Sequence, residues 1–233
     1  MKKIFTLLAL TISFSMNAQL TAVTESGNTG QRLSISNASN HGDIGYNAVD
    51  LSYSWSAGST INGATGQNSV AMGVGTIASG FGSFAMGDFS GASGHASVAM
   101  GSLTNASGYA SFAMGNSAYA QGYGSVAMGI GNLAFGNYST AMGSFTTASG
   151  DYSTAMGNST IASGVLSTAM GTNTEASGES STAMGTNTEA SGLRSFSAGH
   201  LSKASGDMST ALGASPAPGA ESTAMGGGTS APG

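Results

Sequence analysis

The sequence has no cysteine, only three prolines and one tryptophan, and charged side chains at 6% of its 233 positions. The absence of cysteine excludes a disulfide framework and a lipoprotein anchor. So little charge, with so few large side chains, excludes a conventional globular core. Basic residues are the scarcest class: beyond residue 18, Arg32, Arg194 and Lys203 stand against ten carboxylates, a net of −7. That balance argues against nucleic acid and anionic membrane as partners. Long apolar runs are missing too, since nothing after residue 18 approaches the roughly 20 residues of a membrane helix. The one short run, Ile4 to Phe14, follows Lys2 and Lys3 and precedes the small residues Asn17-Ala18. It reads as a secretory signal peptide over residues 1–18, cleaved near Ala18, with Met16 departing from the usual small-residue pattern.

What the chain does have is glycine, 38 of them, with abundant Ala, Ser and Thr. A Gly/Ser-rich linker would share that composition, but here the apolar residues fall on a lattice. Met72, Met86, Met100, Met114, Met128, Met142, Met156, Met170 and Met184 recur every 14 residues, and Ala198 and Leu212 continue the series. Met225 comes one residue early, a slip assigned to the segment holding Pro216 and Pro218. The unit reads S-[VFT]-A-M-G-x-x-[ST]-x-A-S-G-x-x, two halves of seven, each an extended stretch followed by a glycine and two variable residues. One unit is therefore one coil of a solenoid with two short strands.

Alternation along a strand assigns the faces. Ser69, Ala71 and Gly73 share one side, with Val70 and Met72 on the other; Thr76, Ala78 and Gly80 oppose Ile77 and Ser79. The columns through Ala71, Ala85, Ala99 and Ala113, and through Ala78, Ala92, Ala106 and Ala120, are the expected coil interior. The outer column of the second half runs from Ile77 through Asn105, Thr147 and Glu175 to Lys203, a mixture suited to a wet face. The outer columns of the first half instead form one apolar stripe: Val70, Phe84, Val98, Phe112 and Val126 beside the methionines. A stripe of that length needs cover. Ala methyls return only about 0.8 kcal/mol per buried carbon, little against a backbone ordering cost of about 1–2 kcal/mol per residue. Self-association along the stripe is the expected completion.

Asn68-Ser69-Val70-Ala71-Met72-Gly73 and its repeats resemble the head repeat of YadA-like trimeric autotransporter adhesins, with Met where that family often has Ile. The resemblance covers about residues 59–233, roughly twelve coils. It implies a left-handed parallel β-roll in which three chains pack their first-half strands around one axis. The trimer core would then be Val70, Met72, Phe84, Met86, Val98, Met100, Phe112, Met114, Val126, Met128, Met142, Met156, Met170, Met184 and Leu212. The fold class expected is thus all-β, a β-solenoid with 14-residue coils, homotrimeric. The resemblance also implies an adhesin at the surface of a Gram-negative outer membrane, binding extracellular matrix or a cell-surface receptor. Two departures stand out. The family's collagen-associated motif is complete, with Met for Ile, only at Asn68 to Gly73, and in the later units Thr replaces Val, at Thr140, Thr154, Thr168 and Thr182. The neck, stalk and membrane barrel of the family are not in the sequence, and Ala231-Pro232-Gly233 occupy a repeat slot, so the chain reads as truncated.

Residues 19–58 differ from the repeats and read as a leader or cap. Val49, Leu51, Tyr53 and Trp55 alternate with Asp50, Ser52, Ser54 and Ser56, a strand over about 48–56. Trp55 is expected to cover the first coil. The stretch from Gly42 to Ser54 also resembles leaders of Bacteroidetes surface proteins with such repeats.

No catalytic constellation, cofactor motif or metal site emerges. His41, His95 and His200 lie singly, and His95 reads as a solvated turn histidine. The serines recur as solenoid columns without a repeating base. Glu175, Glu179 and Glu189 are scattered, and glycine triplets lead into no helix or Lys-Ser/Thr. The methionine column could suggest a thioether metal site, but one Met per coil fits packing. A non-catalytic adhesin head is the expected function; an ice- or surface-binding solenoid and a passive fibre spacer are the alternatives.

Overall fold

The computed structural model describes residues 20–34, 36–54, 61–228 and 230–232. The signal peptide and Trp55 lie outside the described residues. Strands β1 (Leu20–Glu25) and β2 (Asn28–Leu33) form an antiparallel hairpin, and β2 pairs parallel with β3 (Val49–Tyr53). Next come β4 (Gly63–Ala64), β5 (Val70–Val74) and β6 (Ile77–Ala78), and from there the chain alternates a longer and a shorter strand to Thr223–Met225. The described residues build two sheets, one of fifteen strands that includes the hairpin and one of twelve. Beyond the hairpin both are parallel: Val70 pairs with Phe84, Ala71 with Ala85, Met72 with Met86, and Ala78 with Ala92. This is a parallel β-solenoid of 14-residue coils.

The two halves of the coil are unequal. The first-half strand runs five residues and passes through its glycine, whereas the second-half strand is two residues long. Seven-residue symmetry predicts about four extended residues in each. The second strand ends early because Ser79 and Gly80 both donate to the Ala92 carbonyl, and Ser83 then donates back to Gly80 to close a turn. Glycine is present in both halves for a reason other than turning. A Cβ on Gly115 would lie 2.0 Å from the Gly129 oxygen, and one on Gly108 would lie 2.0 Å from the Gly122 oxygen. Only hydrogen fits between backbones stacked that closely.

The bends themselves are made by the second variable residue of each corner. Leu103, Phe145, Tyr138 and Leu166 have φ of +55°, +54°, +56° and +59°. A non-glycine residue in this left-handed region costs about 1–2 kcal/mol. Each such residue is held by its amide, as in Leu103 to Asp88 O at 2.9 Å and Tyr138 to Tyr123 O at 2.7 Å. The length slip is also placed: Ala198 pairs with Leu212 at the normal interval, but Lys203 pairs with Pro216. One residue is therefore missing from the corner between Leu212 and Ser215, just ahead of the proline-containing strand.

The interior is lined by alanine, with Ala71, Ala78, Ala85, Ala92, Ala99, Ala106, Ala113 and Ala120 fully buried. It is more polar than a tube of methyl groups. Ser and Thr hydroxyls line it from the neighbouring columns; those of Ser69, Ser97 and Ser111 donate to the carbonyl three residues upstream. Asn132 replaces the usual Ser or Thr, donating to Met128 O and Gly143 O and accepting from both the amide and hydroxyl of Thr146.

At the amino-terminal end Asp50 takes the place of the interior alanine, in register with Ala71. Its carboxylate is fully buried and receives Arg32 Nε at 3.2 Å, His41 Nδ1 at 3.0 Å, and the Ser52 hydroxyl and amide at 2.6 and 3.0 Å. Arg32 also reaches Glu25 at 2.7 Å and Gly42 O at 2.9 Å, and the second Glu25 oxygen accepts from the Ile44 amide. These contacts tie the hairpin, the following loop and β3 into a plug over the first coil. Burial pushes the Asp50 pKa upward, but the hydrogen bonds from His41 and Ser52 and the charge of His41 outweigh it and hold the pKa below the usual carboxylate range. A depressed folded-state value stabilises the fold above the unfolded pKa of about 3.9 and ceases to do so as pH falls through the folded value. Hydrogen exchange is therefore expected to show β2 and β3 losing protection below about pH 4, ahead of the central coils; simultaneous loss would dissociate this cluster from the effect.

Candidate interaction surfaces

Two long surfaces stand out on the solenoid. The first is the outer face of the large sheet. Val70, Phe84, Val98, Phe112 and Val126 stand in one register column, and Met72, Met86, Met100, Met114, Met128, Met142, Met156 and Met170 in another two residues on. All of these are half-buried in the single chain, while Met184 is 38% exposed. Leu212 continues the methionine column after Ala198. From Thr140 onward the first column becomes threonine, at 140, 154, 168 and 182, while the methionines continue. The residues proposed from sequence for chain-to-chain packing thus lie on one face, pointing away from the alanine interior.

The YadA head domain repeat, as a two-copy unit, matches residues 64–90, 92–118, 120–146, 136–160, 162–188 and 190–215. The chain belongs to the YadA head family. That family supplies the adhesin-type surface heads of trimeric autotransporters of the Gram-negative outer membrane, a structural rather than a catalytic fold. No curated protein matches the chain.

The second surface is a corner of this YadA-type head that sequence reasoning missed. Phe81, His95, Tyr109 and Tyr123 stack one coil above another, with ring centroids 4.9, 4.8 and 4.9 Å apart and interplanar angles of 14°, 8° and 3°. The stack then steps sideways by one residue through a 59° tilt to Tyr138, which stacks on Tyr152 at 5.2 Å. Every ring is exposed. His95, an exposed turn residue, is also one rung of this ladder. Desolvation by the neighbouring groups, then repulsion from Tyr123 and Tyr152, raises the Tyr138 pKa above the ordinary phenol value. The signal was in the sequence as a second 14-residue series, obscured by the shift from position 123 to position 138.

Where the ladder's first column turns polar, side-chain oxygens take over. Asn137 Oδ1 accepts from the Tyr123 amide, Asp151 Oδ1 from the Asn137 amide, and Asp207 Oδ1 from the Leu193 amide. On the small sheet Lys203 pairs with Glu189 at 2.8 Å, a solvent-exposed contact worth about 1 kcal/mol at most.

Ser, His and Asp converge only in the amino-terminal plug among the described residues. There Ser52 Oγ and His41 Nδ1 each bind a different oxygen of Asp50, and Ser52 Oγ is 3.5 Å from the same Nδ1. A nucleophilic triad needs the hydroxyl on one imidazole nitrogen and the carboxylate on the other, so this arrangement orders a cap and activates no serine. A cavity of about 290 Å³ lined by His41, Gly42, Asp43 and Thr65 opens beside it. Among the described residues no cluster of three His, Asp or Glu could hold a metal, and no helix is long and apolar enough to cross a membrane.

Proposed function

We propose that this chain is the non-catalytic adhesive head of a cell-surface fibre, secreted through its signal peptide and held as a homotrimer through the Val/Met face of the large sheet. The carrying observation is the in-register apolar column on the outside of a tube whose interior is already full. A half-covered row of thioethers along the flank of a rod calls for a partner of the same length and periodicity, and a second and third copy of the chain supply it. Soft methionine side chains suit a threefold axis where three identical groups meet. The corners and the small sheet then face outward and present their side chains to an extracellular matrix or cell-surface receptor. Residues 19–58 act as the cap of the rod.

An ice- or surface-binding role is the competing reading, favoured by the in-register threonines at 140, 154, 168 and 182. Bulky methionines beside them make that face uneven, which speaks for packing against protein.

Light scattering on the purified chain is expected to give three times the chain mass, and beads coated with it are expected to adhere to matrix proteins or cells. A monomer with thermal hysteresis would establish the competing reading; a trimer that adheres to nothing would reduce the head to a spacer.

A further inference from the structure

The tyrosine ladder offers a chemistry that the adhesive reading does not use. Tyr109 and Tyr123 stand 4.9 Å apart with their rings 3° from parallel, and Tyr138 and Tyr152 stand 5.2 Å apart at 12°. All four are exposed, at 44–56% of their surface. Their backbones are fixed by bonds from coil to coil, such as Gly124 N to Tyr109 O at 2.8 Å and Tyr152 N to Asn137 O at 2.8 Å, so the two ends of each pair are held at neighbouring coils. The chain has no cysteine, and so no disulfide can link coil to coil.

We propose that the pairs Tyr109–Tyr123 and Tyr138–Tyr152 are sites of oxidative phenolic cross-linking, joined by dityrosine bonds under a peroxide-driven one-electron oxidant of the peroxidase class. Each phenol gives up one hydrogen atom, and the two phenoxyl radicals combine through a new bond between ring carbons ortho to oxygen. Both ring carbons then lose their hydrogens as protons, and the two oxygens are reprotonated as the rings regain aromaticity. Per pair, two hydrogen atoms leave with their electrons, and one hydrogen peroxide is reduced to two waters. The parallel pairs favour coupling because their ring centroids stand at about the coil spacing, coil after coil. Each bond staples two neighbouring coils and fixes their register. The inference is independent of the trimer, since both partners belong to one chain.

The test treats the full folded chain with hydrogen peroxide and a peroxidase. Peptide mass spectrometry is expected to find Tyr109 linked to Tyr123 and Tyr138 linked to Tyr152, each with the loss of two hydrogens. The product should run at single-chain mass on a denaturing gel and show dityrosine fluorescence. Tyr119, whose register neighbours are Asn105 and Leu133, should stay unlinked. Proximity should make coupling in the folded chain about tenfold or more faster than in urea. Tyr123→Phe, which keeps the ring stack, should abolish the first link and leave the second; Tyr138→Phe should do the reverse. Coupling only between chains, equal rates folded and unfolded, or unchanged products in the two variants would overturn the inference.

Discussion

Met142→Asp is expected to turn the proposed trimer into single chains that are still folded. Met142 sits on the outer face between Met128 and Met156 in coils of unbroken register, half-buried within its own chain. In a lone solenoid a carboxylate there reaches water and costs little. In the trimer three carboxylates would meet around one axis, and an unpaired buried charge costs several kcal/mol. The two states therefore respond differently to one substitution. Light scattering should show the mass falling to that of one chain while circular dichroism keeps its β signal. Met142→Leu, which conserves volume, should stay assembled at a cost under about 1.5 kcal/mol. An unchanged mass for Met142→Asp would refute packing through this face.

The second large effect belongs to the backbone. Gly115 has φ of +124°, and a Cβ at that position would stand 2.0 Å from the Gly129 oxygen. The obstacle is main chain, locked in turn against Gly143, so no side chain can rotate aside. Gly115→Ala is expected to cost more than about 4 kcal/mol, the range reserved for broken backbone geometry. Gly82→Ala is the control: φ is +62° but nothing lies within 4 Å, so only the intrinsic left-handed penalty of about 1–2 kcal/mol applies. Because each coil touches only its neighbours, the damage should be local, and urea unfolding of Gly115→Ala should split into two transitions. Equal stabilities for the two variants would remove the close-stacking explanation of the glycine column.

The columns were legible in the sequence because a coil of fixed length puts chemically equivalent positions a fixed number of residues apart. The alanines at 71 and 78 and the methionine at 72 could be assigned a side from alternation alone. Handedness could not be read that way and came only with the family resemblance. The conformation of the corners was also hidden. Leucine, phenylalanine and tyrosine are poor indicators of a left-handed backbone, and they adopt it here because the amide of each is captured by the previous coil, as Leu103 is by Asp88. One trace was present: the corner column of Asn68, Ala96, Ala110, Tyr138, Tyr152, Leu166, Ser180, Arg194 and Met208 contains no β-branched residue, and these are the residues that such a backbone tolerates least. The amino-terminal plug was illegible for a different reason. Asp50 is one of the polar residues alternating along its strand, and its burial follows only from Arg32 and His41 arriving from elsewhere in the chain.

The pairing of successive coils at a constant 14-residue interval from Val70 to Leu212 has a further consequence for how such a molecule changes length. Duplicating or excising a whole unit leaves alanine over alanine and glycine over glycine, so the joint is indistinguishable from any other. Each unit added would extend the rod by one strand spacing, about 4.8 Å. The distance at which its tip meets another surface can thus be adjusted by counting, without any new contact having to be invented.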